Sequence, residues 1–371
     1  MKYSFEEILK LIKYKVMQYK KEILITLAVI VLIIVVIFTG KFIFNKLEEK
    51  RNNVDISNAI HSVVMKEEYK LYRNPKESKW KFKILVNLKP GDNAYILEEY
   101  VDEKTSKKWY KVKVNGEVGY LLQEAVETFK FNGNQEYSLM SDVSKFNLIQ
   151  KTFNTANEYE VFLLKNKINY AYIRLGGRGY GDEGNFYDDK HAKMFIEACD
   201  YLGMPYGFYY LDEALNSEEI DEEIEFVEKF IQENQTKNHK LPLAIDVERH
   251  DGKGRADSKK LWEKERKFLV QELVDKFLAK GIGAIIYTNA QLAHDYLTEV
   301  DAYFWVAYYD KQNHLPKELF DQIEEHDVLT NDELMPKIVG WQFTDKGVKE
   351  KISEKVDISI VNNDFFKQFV K

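Results

Sequence analysis

The sequence predicts an α/β protein with one transmembrane helix at its N-terminus and a small all-β module before the α/β region. Three observations lead there. Residues Ile23 to Gly40 form an uncharged apolar run; short strands with turn signals fill the stretch from about Ile60 to Glu127; and apolar strands alternate with amphipathic helices from about Tyr137 onward. Strand–helix repetition over this last region argues for a parallel barrel or an open α/β sheet.

The run ILITLAVIVLIIVVIFTG, with Phe42 to Phe44 beyond Lys41, is long enough to cross a hydrocarbon core of about 30 Å. A core helix of that length would show a polar face. A span over residues 23–44 is expected. Lys10, Lys13, Lys15, Lys20 and Lys21 precede it, whereas Lys41, Lys46, Lys50 and Arg51 are mixed with Glu48 and Glu49. This bias favours a cytoplasmic segment over residues 1–22 and places the bulk of the chain outside the cell. Phe38-Thr39-Gly40-Lys41 is a poor cleavage site, which favours a single-pass anchor over a signal peptide. Phe5, Ile8, Leu9, Leu11 and Ile12 among lysines suggest a short amphipathic helix on the inner membrane face. Residues 45–59 read as a linker.

The next module covers residues 60–130. Leu71-Tyr72-Arg73-Asn74-Pro75 opens it, Lys83 to Leu88 follows, and Lys89-Pro90-Gly91-Asp92 reads as a turn. Ala94 to Val101 is another strand. Trp109 to Val114 alternates with period two, Asn115-Gly116 signals a type I′ hairpin, and Glu117 to Leu121 returns. Short strands without a helix suggest a small barrel. These residues resemble a bacterial SH3-like domain, with Tyr120 where that family often has Trp. The resemblance implies binding to peptidoglycan or its peptides.

In the α/β region, candidate strands are 169–175, 206–210, 241–247, 284–287, 303–307 and 337–343, with amphipathic helices over 218–235 and 259–280. The strand Leu241 to Val247 leads into Asp246-Val247-Glu248. Alternate residues of a strand share a face, so the two carboxylates point the same way with Cα atoms roughly 6.5 Å apart. Crowded and desolvated, one is expected to rise in pKa while the other stays ionised. Glycosidic bond cleavage needs that pairing.

Composition narrows the field. The net charge of −7 argues against nucleic acid as a partner. The single cysteine, Cys199, permits no intrachain disulfide, and its helical pattern with Ala192, Phe195 and Ile196 predicts a buried inert thiol. No ligand-spaced Cys/His cluster is present, and neither a metal nor a cofactor is expected. His191, His239, His250, His294, His314 and His326 read as surface residues. Ser144 lacks a triad context, and Gly176 to Gly184 lacks the ending of a phosphate loop.

An ordered set of motifs from about Leu139 to the C-terminus resembles glycoside hydrolase family 25, the Chalaropsis-type lysozymes. The set comprises Ser141-Asp142-Val143-Ser144, Tyr172-Ile173-Arg174, Gly207-Phe208-Tyr209-Tyr210, Asp246-Val247-Glu248, Tyr287-Thr288, Trp305 to Tyr309, Gly340-Trp341-Gln342-Phe343 and Val356-Asp357-Ile358-Ser359. The resemblance implies a TIM-like (β/α) barrel over residues 137–371 acting on peptidoglycan between N-acetylmuramic acid and N-acetylglucosamine. It gives Glu248 the acid role. Asp246 assists, by orienting the 2-acetamido group or supporting an inverting water. Asp142 and Asp357 on the rim hold that group or tune Glu248. Tyr209, Tyr287 and Trp341 are expected to line the cleft, and Arg174 to meet lactyl or peptide carboxylates. Arg178 is expected as an exposed loop charge. The chain departs from the pattern at Met140-Ser141, at Leu175-Gly176-Gly177-Arg178 and in the acidic stretch His326 to Glu333. The alternative function is a noncatalytic peptidoglycan-binding or envelope-assembly protein, and partners in the envelope or a secretion apparatus are left unspecified.

Overall fold

A computed structural model describes residues 5–54, 59–77, 84–250, 252–262, 265–309, 315–323, 331–348, Ile352 and 355–370. Lys83, His314 and the acidic stretch from His326 to residue 330 lie outside them.

The chain opens with one unbroken helix, α1 (Phe5–Asn52). The expected inner-face helix, span and first part of the linker are therefore continuous. The physical reason lies in the flanks: Lys, Glu, Leu and Ile are adequate helix formers, and no proline interrupts them. None of its apolar window is buried within the protein. The last turn of α1 rests on the next module, where Arg51 Nη2 donates to Glu117 (2.8 Å) and Val118 N donates to Asn52 Oδ1 (2.9 Å).

Six antiparallel strands follow: β1 (His61–Val64), β2 (Tyr69–Tyr72), β3 (Ile84–Leu88), β4 (Asn93–Val101), β5 (Lys108–Val114) and β6 (Glu117–Leu122), in the spatial order β1-β4-β5-β6-β2-β3. Asn115 and Gly116 both have positive φ (49° and 80°), as a type I′ hairpin between β5 and β6 requires. Leu71, Ile96, Val112 and Leu121 close a small core.

A second sheet contains β7 (Tyr137–Val143), β8 (Tyr170–Arg178), β9 (Phe186–Asp188), β10 (Tyr206–Leu211), β11 (Leu243–Asp246), β12 (Ala284–Asn289), β13 (Tyr303–Ala307), β14 (Ile338–Thr344) and β15 (Asp357–Asn362). Because β10 pairs with both β8 and β11, eight strands close on themselves, and β9 hangs on β8 as an antiparallel edge. The sheet departs from an all-parallel ring: β15 runs antiparallel to both neighbours, β14 and β7. Between strands lie α2 (Lys145–Ile149), α3 (Ala156–Lys165), α4 (Ala192–Leu202), α5 (Ser217–Asn234), α6 (Arg255–Ser258) and α7 (Arg266–Ala279).

Strand alternation divides the apolar residues between two cores. Ile173, Phe208, Ile245, Ile286 and Val306 pack outward against the helices, whereas Met140, Tyr172, Ala244, Ile285 and Trp305 form a separate inner cluster. The two modules meet where α3 lies on β1. Glu160, fully buried, accepts from Ser62 N (2.8 Å) and lies 3.2 Å from His61 Nδ1, and the His61 ring stacks on Tyr201.

Candidate active site

Four carboxylates gather at one end of the closed sheet. Asp246 is the last residue of β11, in register with Leu211 of β10 and Tyr287 of β12. Glu248 lies two residues further on, past the strand end, and is partly exposed. Asp142 is near the end of β7, directly opposite Asp357, the first residue of β15. The reversed direction of β15 matters here. In a parallel strand a first residue would lie at the far end of the barrel; the antiparallel course brings Asp357 to the end where β7 finishes.

Burial raises the pKa of all four. Asp142 is pushed up to about 7, against a hydrogen bond from Gln342 and with the charge of Glu248 adding to the rise. Asp246 is raised well above the carboxylate range by burial and then by Glu248; the positive charge of Arg174 opposes this. Glu248 is raised by burial, and Asp357 by burial and then by Asp142. One acid of the pair was expected to rise while the other stays ionised; burial pushes both Asp246 and Glu248 upward. Asp246 sits on the strand, deeper than Glu248, so desolvation acts on it most. Such a cluster shares its protons, and its titration belongs to the group. Asp246 Oδ1 is buried and has no hydrogen-bond partner among the described residues, which leaves an acceptor for an incoming donor.

Gln342 organises one side. Its Nε2 donates to Asp142 Oδ2 (2.9 Å), while Oε1 accepts from Tyr287 Oη (2.8 Å) and from Tyr309 Oη. Two phenols fix the orientation of the amide, so its N–H must face the carboxylate. Sequence reasoning missed Gln342 and Tyr309, although a signal existed. Trp341 and Gln342 are neighbours in a strand and face opposite sides. The structure turns Gln342 inward. Trp341 does not join the acids: it is fully buried on the helix side, stacks on Phe320 (5.2 Å) and donates to Tyr308 O (2.8 Å). The tryptophan of the inner cluster is Trp305, stacked on Tyr172 (5.1 Å) and donating to Ser359 Oγ (2.9 Å).

Tyr209 is partly buried and lies within electrostatic reach of Arg174, Asp142, Asp246 and Asp357. Arg174 is buried beside them with an internal partner, Asp189 (Nε to Oδ2, 3.0 Å), and its guanidinium lies over the Phe146 ring. Arg178, expected as an exposed loop charge, is 2 % exposed: it ends β8 and donates to Glu223, Glu222, Gly184 O and Glu219 O. His239, expected at the surface, packs on Phe208, and burial lowers its pKa to about 4.

A carboxylate cluster, part buried and part open to solvent, at the mouth of an eight-stranded closed sheet is an arrangement suited to acid–base work on a glycosidic bond. The model of glycosyl hydrolases family 25 matches residues 141–352, more than half the chain, and the chain belongs to that family: it is a glycoside hydrolase. Comparison with curated proteins gives no match. Among solved structures, the chain is similar to the catalytic domain of endolysin ply40 from bacteriophage P40 of Listeria monocytogenes (20% identity, TM-score 0.46, covering 62% of this chain and 96% of that one). It is also similar to the Clostridium perfringens spore cortex lytic enzyme SleM (19%, 0.47, 62% and 69%). A family 25 glycosyl hydrolase from Bacillus anthracis is a further likeness (17%, 0.40, 63% and 93%).

Proposed function

We propose that this chain is a membrane-anchored muramidase that cuts the β-1,4 bond between N-acetylmuramic acid and N-acetylglucosamine in peptidoglycan. The observation that carries the reading is the convergence of Asp142, Asp246, Glu248 and Asp357 in a buried mouth. Glu248, the acid nearest solvent of the pair, protonates the glycosidic oxygen as the bond to the anomeric carbon breaks. Asp246 Oδ1 accepts the N–H of the 2-acetamido group and aims its carbonyl oxygen at that carbon. Water then opens the cyclic intermediate and returns a proton to Glu248. Asp142, fixed by Gln342, and Asp357 hold the acetamido group from the other side. Tyr209 and Tyr287 line the cleft, and the positive charge of Arg174 lessens the rise on Asp246. An inverting attack of water supported by Asp246 is distinguished by the anomer first formed, read by proton NMR.

The apolar part of α1 is the anchor, with the lysine-rich end in the cytoplasm and the remainder outside the cell. Phe38-Thr39-Gly40-Lys41 is a poor cleavage site, which favours retention of the anchor. Residues 60–130 form an SH3-like module and residues 137–371 a TIM-like barrel with one reversed strand. The full chain, incubated with purified sacculi, is expected to release soluble fragments whose reducing ends are N-acetylmuramic acid, identified by mass spectrometry after borohydride reduction. Binding to sacculi without such fragments contradicts the reading.

A further inference from the structure

The mouth carries a second cluster that this chemistry does not use. Glu213, two residues past β10, is 1 % exposed, and its Oε2 accepts from Ala256 N (3.1 Å). Among the described residues its Oε1 makes no hydrogen bond of good geometry, and it lies 3.5 Å from Nε2 of His250, two residues beyond Glu248. The other nitrogen of that imidazole, Nδ1, is 3.3 Å from Tyr180 Oη, and the two rings lie 4.4 Å apart. Tyr180 itself is 44% exposed, and its phenol is within electrostatic reach of Asp246 and Glu248. A solvent-facing ring therefore packs on an imidazole two residues past Glu248, and the far nitrogen of that imidazole faces the buried Glu213 carboxylate.

The loop under it is pinned as well. Arg178 Nη1 donates to Gly184 O (3.1 Å), and Arg255 Nη2 donates to Asp182 O (3.4 Å). Gly184 has a φ of +56°, and a Cβ there would lie 2.6 Å from the Arg255 guanidinium, so the loop closes tightly over a buried cation. In the sequence Arg178 reads as an exposed loop charge; in the fold its buried guanidinium pins the loop through Gly184 O.

We infer that Tyr180 is a substrate-positioning residue, a ring oriented by the Glu213–His250 pair on which a sugar of the bound glycan stacks next to the cleaved bond. The inference rests on the muramidase reading. An aromatic face attracts the C–H edges of a pyranose through its negative quadrupole, and a ring already held in place binds without an ordering cost.

The test measures kcat and KM on soluble glycan strands. It also measures calorimetric binding of an alternating N-acetylglucosamine/N-acetylmuramic acid tetrasaccharide to the full chain carrying Glu248→Gln. Tyr180→Ala is expected to raise KM and Kd about tenfold, with kcat falling far less. Tyr180→Phe keeps the ring and recovers most of that loss. His250→Ala reproduces the Tyr180→Ala effect, and the double variant is no worse than either, because both act through one ring. An unchanged Kd in Tyr180→Ala, or effects of the two variants that add in full, overturns the inference while leaving the muramidase reading intact. Wild-type protein that neither binds the tetrasaccharide nor cuts strands overturns both.

Discussion

Gln342 holds Asp142 with its amide while two phenols hold Gln342, so the carboxylate is fixed in a buried place whether or not it carries a proton. The consequence is a pH dependence of stability. Asp142 has an ordinary value of 3.8 and a folded value of about 7. Across that window the folded state binds a proton that the unfolded chain releases, so stability is full below it and falls as pH rises through it. Asp142→Asn keeps an acceptor for Gln342 but cannot titrate. It should lessen the fall in stability within the window by up to about 1.4 kcal/mol per pH unit, and by less where the neighbouring acids take up the shared proton, read from denaturation midpoints at several pH values. Parallel curves for the two proteins contradict the assignment. The Asp-Val-Glu triplet and the Asp-Val-Ser and Val-Asp motifs made the four acids legible in the sequence. Their depth was not legible, because adjacent carboxylates look alike on paper and only the fold decides which one desolvates.

Most of the predicted strands and helices follow from period and turn chemistry and differ from the observed ones at the ends, but the helix expected over 259–280 begins only at Arg266, and β15 was not among the candidate strands. Lys337–Phe343 was expected where β14 covers Ile338–Thr344, and 218–235 where α5 covers Ser217–Asn234. What periodicity does not encode is direction. Nothing in Val356-Asp357-Ile358-Ser359 says that β15 runs backwards, yet that reversal places Asp357 at the site. Arg178 was misread for a related reason: glycines and charges at a strand end resemble a loop, whereas α5 supplies Glu222 and Glu223 to a guanidinium that ends up enclosed. Arg178→Met should therefore cost about 3 kcal/mol, since removing one partner strands a buried acid and two carbonyls. An exposed charge would change stability by less than ~0.5 kcal/mol. Urea midpoints of the two proteins decide between these.

Across the whole molecule, contacts run from α1 to the barrel. Arg51 and Asn52 join α1 to β6, Arg73 just past β2 pairs with Glu48 of α1, and Glu160 with His61 and Ser62 joins β1 to α3. The linker read over residues 45–59 is helical as far as Asn52, because its charged residues propagate a helix as readily as they solvate a coil. The anchor reading predicts that the full-length chain stays with the membrane fraction after an alkaline carbonate wash; recovery of a shortened form in the medium contradicts it. The central claim concerns Glu248 as the proton donor of a wall-cutting site. It is tested most directly by the rate of reducing-end release from sacculi for wild-type protein and for Glu248→Gln of unchanged circular dichroism. The account predicts release by the wild type and a loss of about 10²–10⁴-fold in the variant with binding to sacculi retained; a variant that releases reducing ends at the wild-type rate contradicts it.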